Sequence, residues 1–131
     1  TLPKISPVPA VQDKQRGIIL DAAHACPRYC GRIISDVNAA ATTPAWMVQR
    51  LERSGIRSIS ALVDVTNYVM LELGQPLHAF DNARLHGAVH VRFPAAGEQL
   101  LLLNGQTVEP SADTALIADD RRALALAGIM V

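Results

Sequence analysis

The chain is poor in cysteine, aromatic residues, net charge and long apolar runs. Its 131 residues include two cysteines and one tryptophan, and 12 basic residues balance 12 acidic ones. This neutrality excludes the broad basic surface of a protein that binds duplex nucleic acid unaided. No apolar run approaches the roughly 20 residues of a membrane span. These absences predict a soluble globular protein that acts neither on DNA nor in a membrane.

The cysteines also exclude two kinds of site. Cys26 and Cys30 fit neither a disulfide framework nor the paired C-x2-C spacing of zinc sites. Adding His24 gives three ligands without a fourth, and Pro27 lies between the cysteines. We therefore expect no metal and interpret both cysteines as reduced thiols of a cytosolic protein.

What is present is a strongly apolar chain, 50% hydrophobic and 18% charged. This composition excludes disorder, and the length suits one domain with a real core. Pro3, Pro7 and Pro9 predict a linker or arm over residues 1–25, with at most a short strand from Gly17 to Asp21. Because the sequence starts without methionine and stops inside the apolar run LALAGIMV, we expect a piece truncated at its C-terminus.

Two helices are predicted in the first half of the remaining chain. The first runs from Pro44 to Arg53, with Thr43 as its cap and Met47, Val48 and Leu51 facing inward. The second follows a capping Ser58 or Ser60. Its apolar stripe ends at Gly74 and comprises Leu62, Val65, Val69 and Leu73. The β-branched residues of 63–69 keep a strand as the alternative, but the run is too long for a typical strand.

Strands are predicted at 29–37 and throughout the second half. Val89, Val91 and Phe93 alternate with polar residues, and Asn104-Gly105 between two apolar runs predicts a hairpin. Residues 115–118 and 123–131 are two further strands around a polar turn. Early helices and late strands indicate an α+β fold, with the helices packed on a mainly antiparallel sheet or partial β-barrel.

The segment VDVTNYVMLELGQPLHAFD carries the polar residues with the clearest chemical potential. Thr66 and Asn67 lie inside an apolar helix, and His78 follows Pro76 on a loop. Local back-bonding explains the first two equally well, and a lone histidine is more often structural than catalytic. Asp81 is expected to cap a short turn. The residues alone leave a polar pocket and a set of local hydrogen bonds both open.

Two other features also allow two interpretations. Arg50, Arg53 and Arg57 near one helix end suit either phosphate contacts or a solvated face beside the negative helix C-terminus. Ala127-Gly128, inside the predicted last strand, is either a simple bulge or an open peptide edge for a substrate.

Three segments resemble the editing module of the β subunit of bacterial phenylalanyl-tRNA synthetase. They are CPRYCGRIISDV, TPAWMVQRLERSGIRSISALVDVTNYVMLELGQPLHAFD and LALAGIM. The resemblance implies that residues 26–131 are the N-terminal part of a domain that hydrolyses tyrosine wrongly esterified to the phenylalanine tRNA. It implies a pocket lined by Thr66, Asn67, Pro76, Ala127 and Gly128. A water positioned by His78 would attack the ester, unless the tRNA ribose hydroxyl takes that role.

The resemblance also implies partners and excludes cofactors from this segment. The family is a heterotetramer of two α and two β subunits that binds the 3′ end of the phenylalanine tRNA, and it uses ATP and magnesium in the α subunit. The carboxylate that reads the tyrosine hydroxyl in the family lies beyond Val131. A non-catalytic module that positions tRNA is the alternative function.

Overall fold

The computed structural model describes residues 5–128, and its elements confirm the α+β class. Two α-helices and a short 3-10 helix precede most of the strands. The elements are β1 Ile18–Leu20, α1 Ala45–Arg53, α2 Ala61–Leu73, the 3-10 helix Asn82–Arg84, β2 Val89–Arg92, β3 Leu100–Leu101, β4 Thr107–Val108, β5 Leu116–Ala118 and β6 Ala123–Leu126.

The strands form one four-stranded sheet and one small hairpin. The sheet order is β1-β2-β5-β6, parallel between β1 and β2 and antiparallel elsewhere. β3 and β4 pair separately around Asn104-Gly105, as the sequence predicted. The short strand predicted between Gly17 and Asp21 is present as β1, so part of the predicted arm belongs to the sheet. Assignment of residues 1–25 to a linker stays a prediction.

The core of the sheet follows from alternation on β2 and from full burial of β5. Val89 and Val91 are buried together with Ile117. The alternate residues of β2, His90 and Arg92, are only partly buried. β5 lies between β2 and β6, and all three of its residues are buried. An inner strand covered on both faces has an unbroken apolar sequence, which matches the run Leu116–Ala118.

A buried carboxylate holds the turn between β5 and β6. Asp119 is 3% exposed and accepts hydrogen bonds from the backbone N–H groups of His86, Arg121 and Arg122 at 2.9–3.0 Å. Burial alone would raise the pKa of the Asp119 carboxyl, but these backbone hydrogen bonds lower the pKa to about 2. The polar turn predicted between the last two strands is therefore an ordered structure around one side chain.

The neighbouring Asp120 joins the same turn to β2 and to the loop before it. Its carboxylate contacts the ring Nε2 of His90 at 2.8 Å and accepts a hydrogen bond from the N–H of Ala88 at 3.1 Å. The other ring nitrogen of His90 lies 3.3 Å from the carboxylate of Asp21, just after β1. His90 thus links β2 to the residue after β1 and to the turn after β5, and its hydrogen bond to the Asp120 carboxylate raises its pKa.

Two predicted strands were wrong in whole or in part. Residues 29–37 form no strand. Their contacts include side-chain hydrogen bonds with Gln12, and Ile34 is 71% exposed. The β-branched residues favour extended backbone, but no strand within residues 5–128 pairs with this segment. The last strand ends at Leu126, so Ala127 and Gly128 form a turn after it rather than lying inside it. Residues 129–131 of that prediction lie outside the described residues.

The turn before β2 provides a test of the Asp120 contact. Gly87 has φ +68°, and a Cβ there would lie 1.7 Å from Asp120 Oδ2. Gly97 has φ +73°, but a Cβ there would meet open space. Both alanine substitutions carry the cost of a left-handed backbone, and only Gly87→Ala also displaces Asp120. We expect Gly87→Ala to lower the melting temperature by about 5 °C or more beyond Gly97→Ala. Equal melting temperatures in a thermal unfolding experiment would contradict the contact.

Candidate functional site

The candidate site lies partly on two helices that form a hairpin. Within residues 5–128 the backbones of α1 and α2 lie closer to each other than to any strand. Met47 and Leu51 of α1 are buried as predicted. Pro44 has extended backbone (ψ 136°) and precedes the helix instead of starting it.

α2 confirms the second predicted helix. It begins after Ser60 and ends at Gly74, whose left-handed conformation stops the helix. Its apolar stripe is partly exposed, with Leu62 at 41% and Val65 at 46%. The buried residues are Asp64 and Asn67. α2 therefore presents its polar residues to the interior of the hairpin, where α1 is its neighbour.

Asp64 explains this orientation. It is fully buried, and its carboxylate accepts hydrogen bonds from the hydroxyls of Thr43 and Ser58 and from the N–H of Ile59. Burial alone would raise the pKa of the Asp64 carboxyl, but the hydrogen bonds from Ser58, Thr43 and the backbone of 59–60 outweigh burial and lower it. The Thr43 hydroxyl therefore donates to Asp64 and does not cap α1. An ionised carboxylate joins the start of α1, the connecting loop and α2.

Thr66 and Asn67 differ in their local hydrogen bonding. The Thr66 hydroxyl donates to the carbonyl of Val63 at 2.8 Å, which is the back-bonding that the sequence allowed. Asn67 is 3% exposed, and its Oδ1 is buried without a hydrogen-bond partner among the described residues. An unpaired buried acceptor costs about 1–3 kcal/mol. Among the described residues, Asn67 is therefore the predicted pocket residue with a buried polar atom that has no hydrogen-bond partner.

His78 lies on the loop after α2 and stacks on a neighbouring aromatic ring. Its ring centroid is 5.9 Å from that of Phe80, with the planes 10° apart. Partial burial lowers the pKa of His78 below its usual value of about 6.5, so the neutral imidazole dominates at pH 7. Pro76 lies in the same loop and is half-buried. Asp81 caps the following 3-10 helix by accepting the N–H of Ala83, as predicted.

The end of β6 shares a core with the His78 loop. Ala127 and Phe80 both pack against the buried cluster of Val89, Val91 and Ile117. Gly128 is exposed with φ +73°, and nothing lies within 4 Å of the position that a Cβ would take. The structure thus brings the partner ring of His78 and Ala127 to one core. Thr66 and Asn67 lie on α2, whose backbone is not close to any strand that the structure describes.

The arginine cluster has a contact that the sequence did not reveal. The guanidinium of Arg50 lies 5.3 Å from the Trp46 ring and 5.9 Å from the Tyr68 ring, and it donates to the Tyr68 hydroxyl. These interactions join α1 to α2 at the surface. Trp46 and Arg50 share a helix face at i, i+4, which is the pattern that could have indicated the pair.

The comparisons with known proteins agree with the resemblance found in the sequence. Residues 25–131 match the family model of the B3/4 domain. The chain belongs to the B3/4 domain family. Its relatives include the phenylalanine–tRNA ligase beta subunits of Aromatoleum aromaticum, 70% identical over 98% of the chain, and of Dechloromonas aromatica, 63% identical over 99%. That of Pseudomonas savastanoi pv. phaseolicola is 57% identical over 99%.

This B3/4 domain chain spans 16% of the length of those three relatives. Within residues 5–128, no group of three or more histidine, cysteine, aspartate or glutamate side chains is arranged to hold a metal ion. No helix in the same range is long and apolar enough to cross a membrane.

Replacement of Asp64 tests its place at the centre of the hairpin. Asp64→Ala leaves two hydroxyls and a backbone N–H without their shared acceptor. We expect it to lower the free energy of unfolding by about 3 kcal/mol, which is the usual cost of breaking a buried network. Asp13→Ala is the matched control because Asp13 is exposed, and it should change stability by less than about 0.5 kcal/mol. Equal effects in urea unfolding would show that the network does not stabilise the hairpin.

Proposed function

We propose that the chain is the N-terminal part of the editing domain of a phenylalanine–tRNA ligase β subunit. In this proposal the domain hydrolyses the ester bond of tyrosine misattached to the phenylalanine tRNA. The observation that carries the proposal is the 70% identity over 98% of the chain to a phenylalanine–tRNA ligase beta subunit. Because the chain is 16% of that relative's length, the activity is assigned to the whole enzyme and not to this segment alone.

A physical argument explains why such an enzyme needs a second site. A hydrophobic pocket for phenylalanine rejects an added hydroxyl only by about a hundredfold. Protein synthesis needs a higher accuracy, so a hydrolytic sieve must remove the tyrosyl product. The hydrolytic pocket therefore needs polar groups next to an apolar wall, and the residues of α2 and of the His78 loop are of this kind.

His78 is proposed as the group that activates water. Its partly buried, neutral imidazole can accept a proton from a water molecule as the water oxygen bonds to the ester carbonyl carbon. The tetrahedral intermediate then breaks its bond to the ribose oxygen, which takes the proton back from the imidazolium. The products are free tyrosine and the tRNA, and Phe80 holds the ring in place by stacking.

The other residues are proposed to bind the aminoacyl group. The unpartnered Oδ1 of Asn67 can accept a hydrogen bond from a donor on the ligand, such as its ammonium group. The Thr66 hydroxyl donates to Val63 and keeps lone pairs free to accept. The backbone N–H of Gly128, at an open position, would stabilise the developing oxyanion. Pro76 and Ala127 complete the walls.

The proposed partners follow from the same assignment. The β subunit would act with an α subunit in a heterotetramer of two α and two β chains, and it would bind the 3′ end of the tRNA. ATP and magnesium would serve aminoacylation elsewhere in the enzyme, with no cofactor in this segment. The neutral charge of the chain fits a local contact with the tRNA end rather than a large nucleic-acid surface.

A second candidate function is a non-catalytic module that supports or positions tRNA. Two observations favour it. The Thr66 hydroxyl is satisfied within its own helix, and among the described elements the backbone of α2 is not close to β6, after which Gly128 lies. Activity measurements on site variants separate this function from editing.

The test is the hydrolysis of tyrosine from the phenylalanine tRNA, catalysed by the complete enzyme with its α and β subunits. Loss of a general base slows such a step by roughly a hundredfold or more, so we expect at least that loss in His78→Ala. Asn67→Ala should lose about tenfold, equivalent to one hydrogen bond. The rate of phenylalanine attachment should stay unchanged in both variants.

His24→Ala is the matched control for this experiment. His24 also pairs with an aromatic ring, that of Phe93 at 5.2 Å, but it lies outside the proposed pocket. Its deacylation rate should equal that of the unmodified enzyme. If His78→Ala and Asn67→Ala both hydrolyse tyrosyl-tRNA at the normal rate, the site assignment is wrong and the non-catalytic function is favoured.

A further inference from the structure

An arginine before β1 is hydrogen-bonded to the segment that follows the His78 loop. Arg16 Nε donates to Asn82 Oδ1 at 2.8 Å, and Arg16 Nη2 donates to the carbonyl of Asn82 at 2.9 Å. Arg16 Nη1 donates to the carbonyl of Gly87. One partly buried guanidinium therefore holds both ends of residues 82–87.

The geometry of these hydrogen bonds suits arginine better than lysine. A guanidinium is planar and has five N–H donors in a fixed fork, whereas a lysine ammonium is a point charge on a flexible stem. Each nitrogen of the Arg16 guanidinium donates to a different acceptor, and the acceptors lie 66 and 71 positions further along the chain. Arg16 therefore stabilises an arrangement of distant segments.

A short and ordered stretch of chain joins the segment that Arg16 holds to His78. Phe80 stacks on the His78 ring and packs against the buried cluster of the sheet. Asp81 accepts the N–H of Ala83 and caps the 3-10 helix that begins at Asn82. Only Asp81 separates Asn82 from Phe80, the ring partner of His78. The position of Asn82 therefore constrains the orientation of the two stacked rings.

The other end of the held segment is fixed to the sheet. The N–H of His86 donates to the buried carboxylate of Asp119 at 3.0 Å. The N–H of Val89 donates at 2.9 Å to the carbonyl of Gly17, the residue after Arg16. Arg16 connects this fixed end to the start of the 3-10 helix. It thereby ties the loop of His78 to the edge of the sheet at β1.

We propose that Arg16 is a positioning residue for the editing reaction and holds the loop of His78 in the orientation that activates water. The inference rests on the proposed function, because it takes His78 as the group that activates water. Arg16 lies before residues 25–131, which match the B3/4 domain. The part of the chain that hydrolysis requires then extends beyond the matched residues toward the N-terminus.

The test is the hydrolysis of tyrosine from the phenylalanine tRNA by the complete enzyme with its α and β subunits. A misplacement of a catalytic group by about 1 Å costs up to about a hundredfold in rate, so we expect Arg16→Ala to lower kcat about tenfold and to leave KM within about twofold. The double variant with Asn82→Ala should be no slower than Arg16→Ala, because both changes remove the same contact. The rate of phenylalanine attachment should stay unchanged.

The pH dependence of kcat separates positioning from a loss of folded enzyme. Partial burial lowers the pKa of His78, and a loosened loop exposes its ring to water. A general base loses activity as the pH falls through its pKa, so the midpoint of the profile should rise toward about 6.5 in Arg16→Ala. A lower kcat with an unchanged midpoint would overturn the proposal.

Arg32→Ala is the matched control. Arg32 also donates from its guanidinium to a backbone carbonyl, that of Val8 at 2.7 Å, and it should keep the normal kcat. If Arg16→Ala does not fold, Arg16→Lys replaces it; this variant keeps the charge and loses the fork, and its kcat should fall about threefold with the same shift of midpoint.

The His78→Ala enzyme distinguishes the two possible failures. Slow hydrolysis by His78→Ala together with a normal kcat in Arg16→Ala would overturn this inference alone. An equal loss of kcat in Arg16→Ala and Arg32→Ala would also overturn it. Normal hydrolysis by His78→Ala would overturn the proposed role of His78 and this inference with it.

Discussion

The buried carboxylate of Asp64 is the group on which the arrangement of the two helices depends. In the described chain the backbone of each helix lies closest to that of the other helix and not to a strand. Between the helices, Asp64 accepts hydrogen bonds from Thr43 before α1 and from Ser58 and Ile59 in the connecting loop. A buried charge needs several donors at once, so the three segments can satisfy it in only one arrangement. Asn67, one helical turn later, acquires its buried position from that arrangement.

A second buried, hydrogen-bonded carboxylate lies at the turn between β5 and β6 of the sheet. Asp119 is nearly as buried as Asp64, and it collects backbone N–H groups from the turn and from the loop before β2. The loop that carries His78 ends near this region through Phe80, which packs on the core beneath β2. The two buried aspartates thus order the two parts of the chain from which the proposed editing pocket is drawn. Polar groups of structural value and polar groups proposed for chemistry lie within a few residues of each other.

Local patterns in the sequence predicted the elements that depend on local interactions. The Asn104-Gly105 hairpin, the end of α2 at Gly74 and the cap at Asp81 each depend on the conformational preference of one or two residues. The apolar alternation around Val91 predicted a strand because one side of that strand is buried. The resemblance identified the family from the same sequence, and the match of residues 25–131 to the B3/4 domain confirms it.

What the sequence did not predict depends on distant partners. Residues 29–37 have strand propensity but pair with no strand in the part of the chain that the structure describes, and they are irregular. The burial of Asp64 was not predicted, because the hydroxyls that make a buried Asp64 favourable are 6 and 21 residues away. Whether Thr66 and Asn67 meet His78 and Gly128 depends likewise on packing between separate elements. Hydrophobic periodicity carries no information on such contacts.

The most direct test of an ionised Asp64 at the centre of the helical hairpin is the pH titration of its side-chain carboxyl by ¹³C NMR. The hydrogen bonds from Ser58, Thr43 and the backbone favour the ionised form, so the pKa of Asp64 should lie below its usual value of about 3.9. The ionised network then stabilises the fold at pH values above the unfolded pKa, and this stabilisation is lost as the pH falls through the folded pKa. A titration midpoint at or above the usual value would contradict an ionised Asp64 at the centre of the helical hairpin.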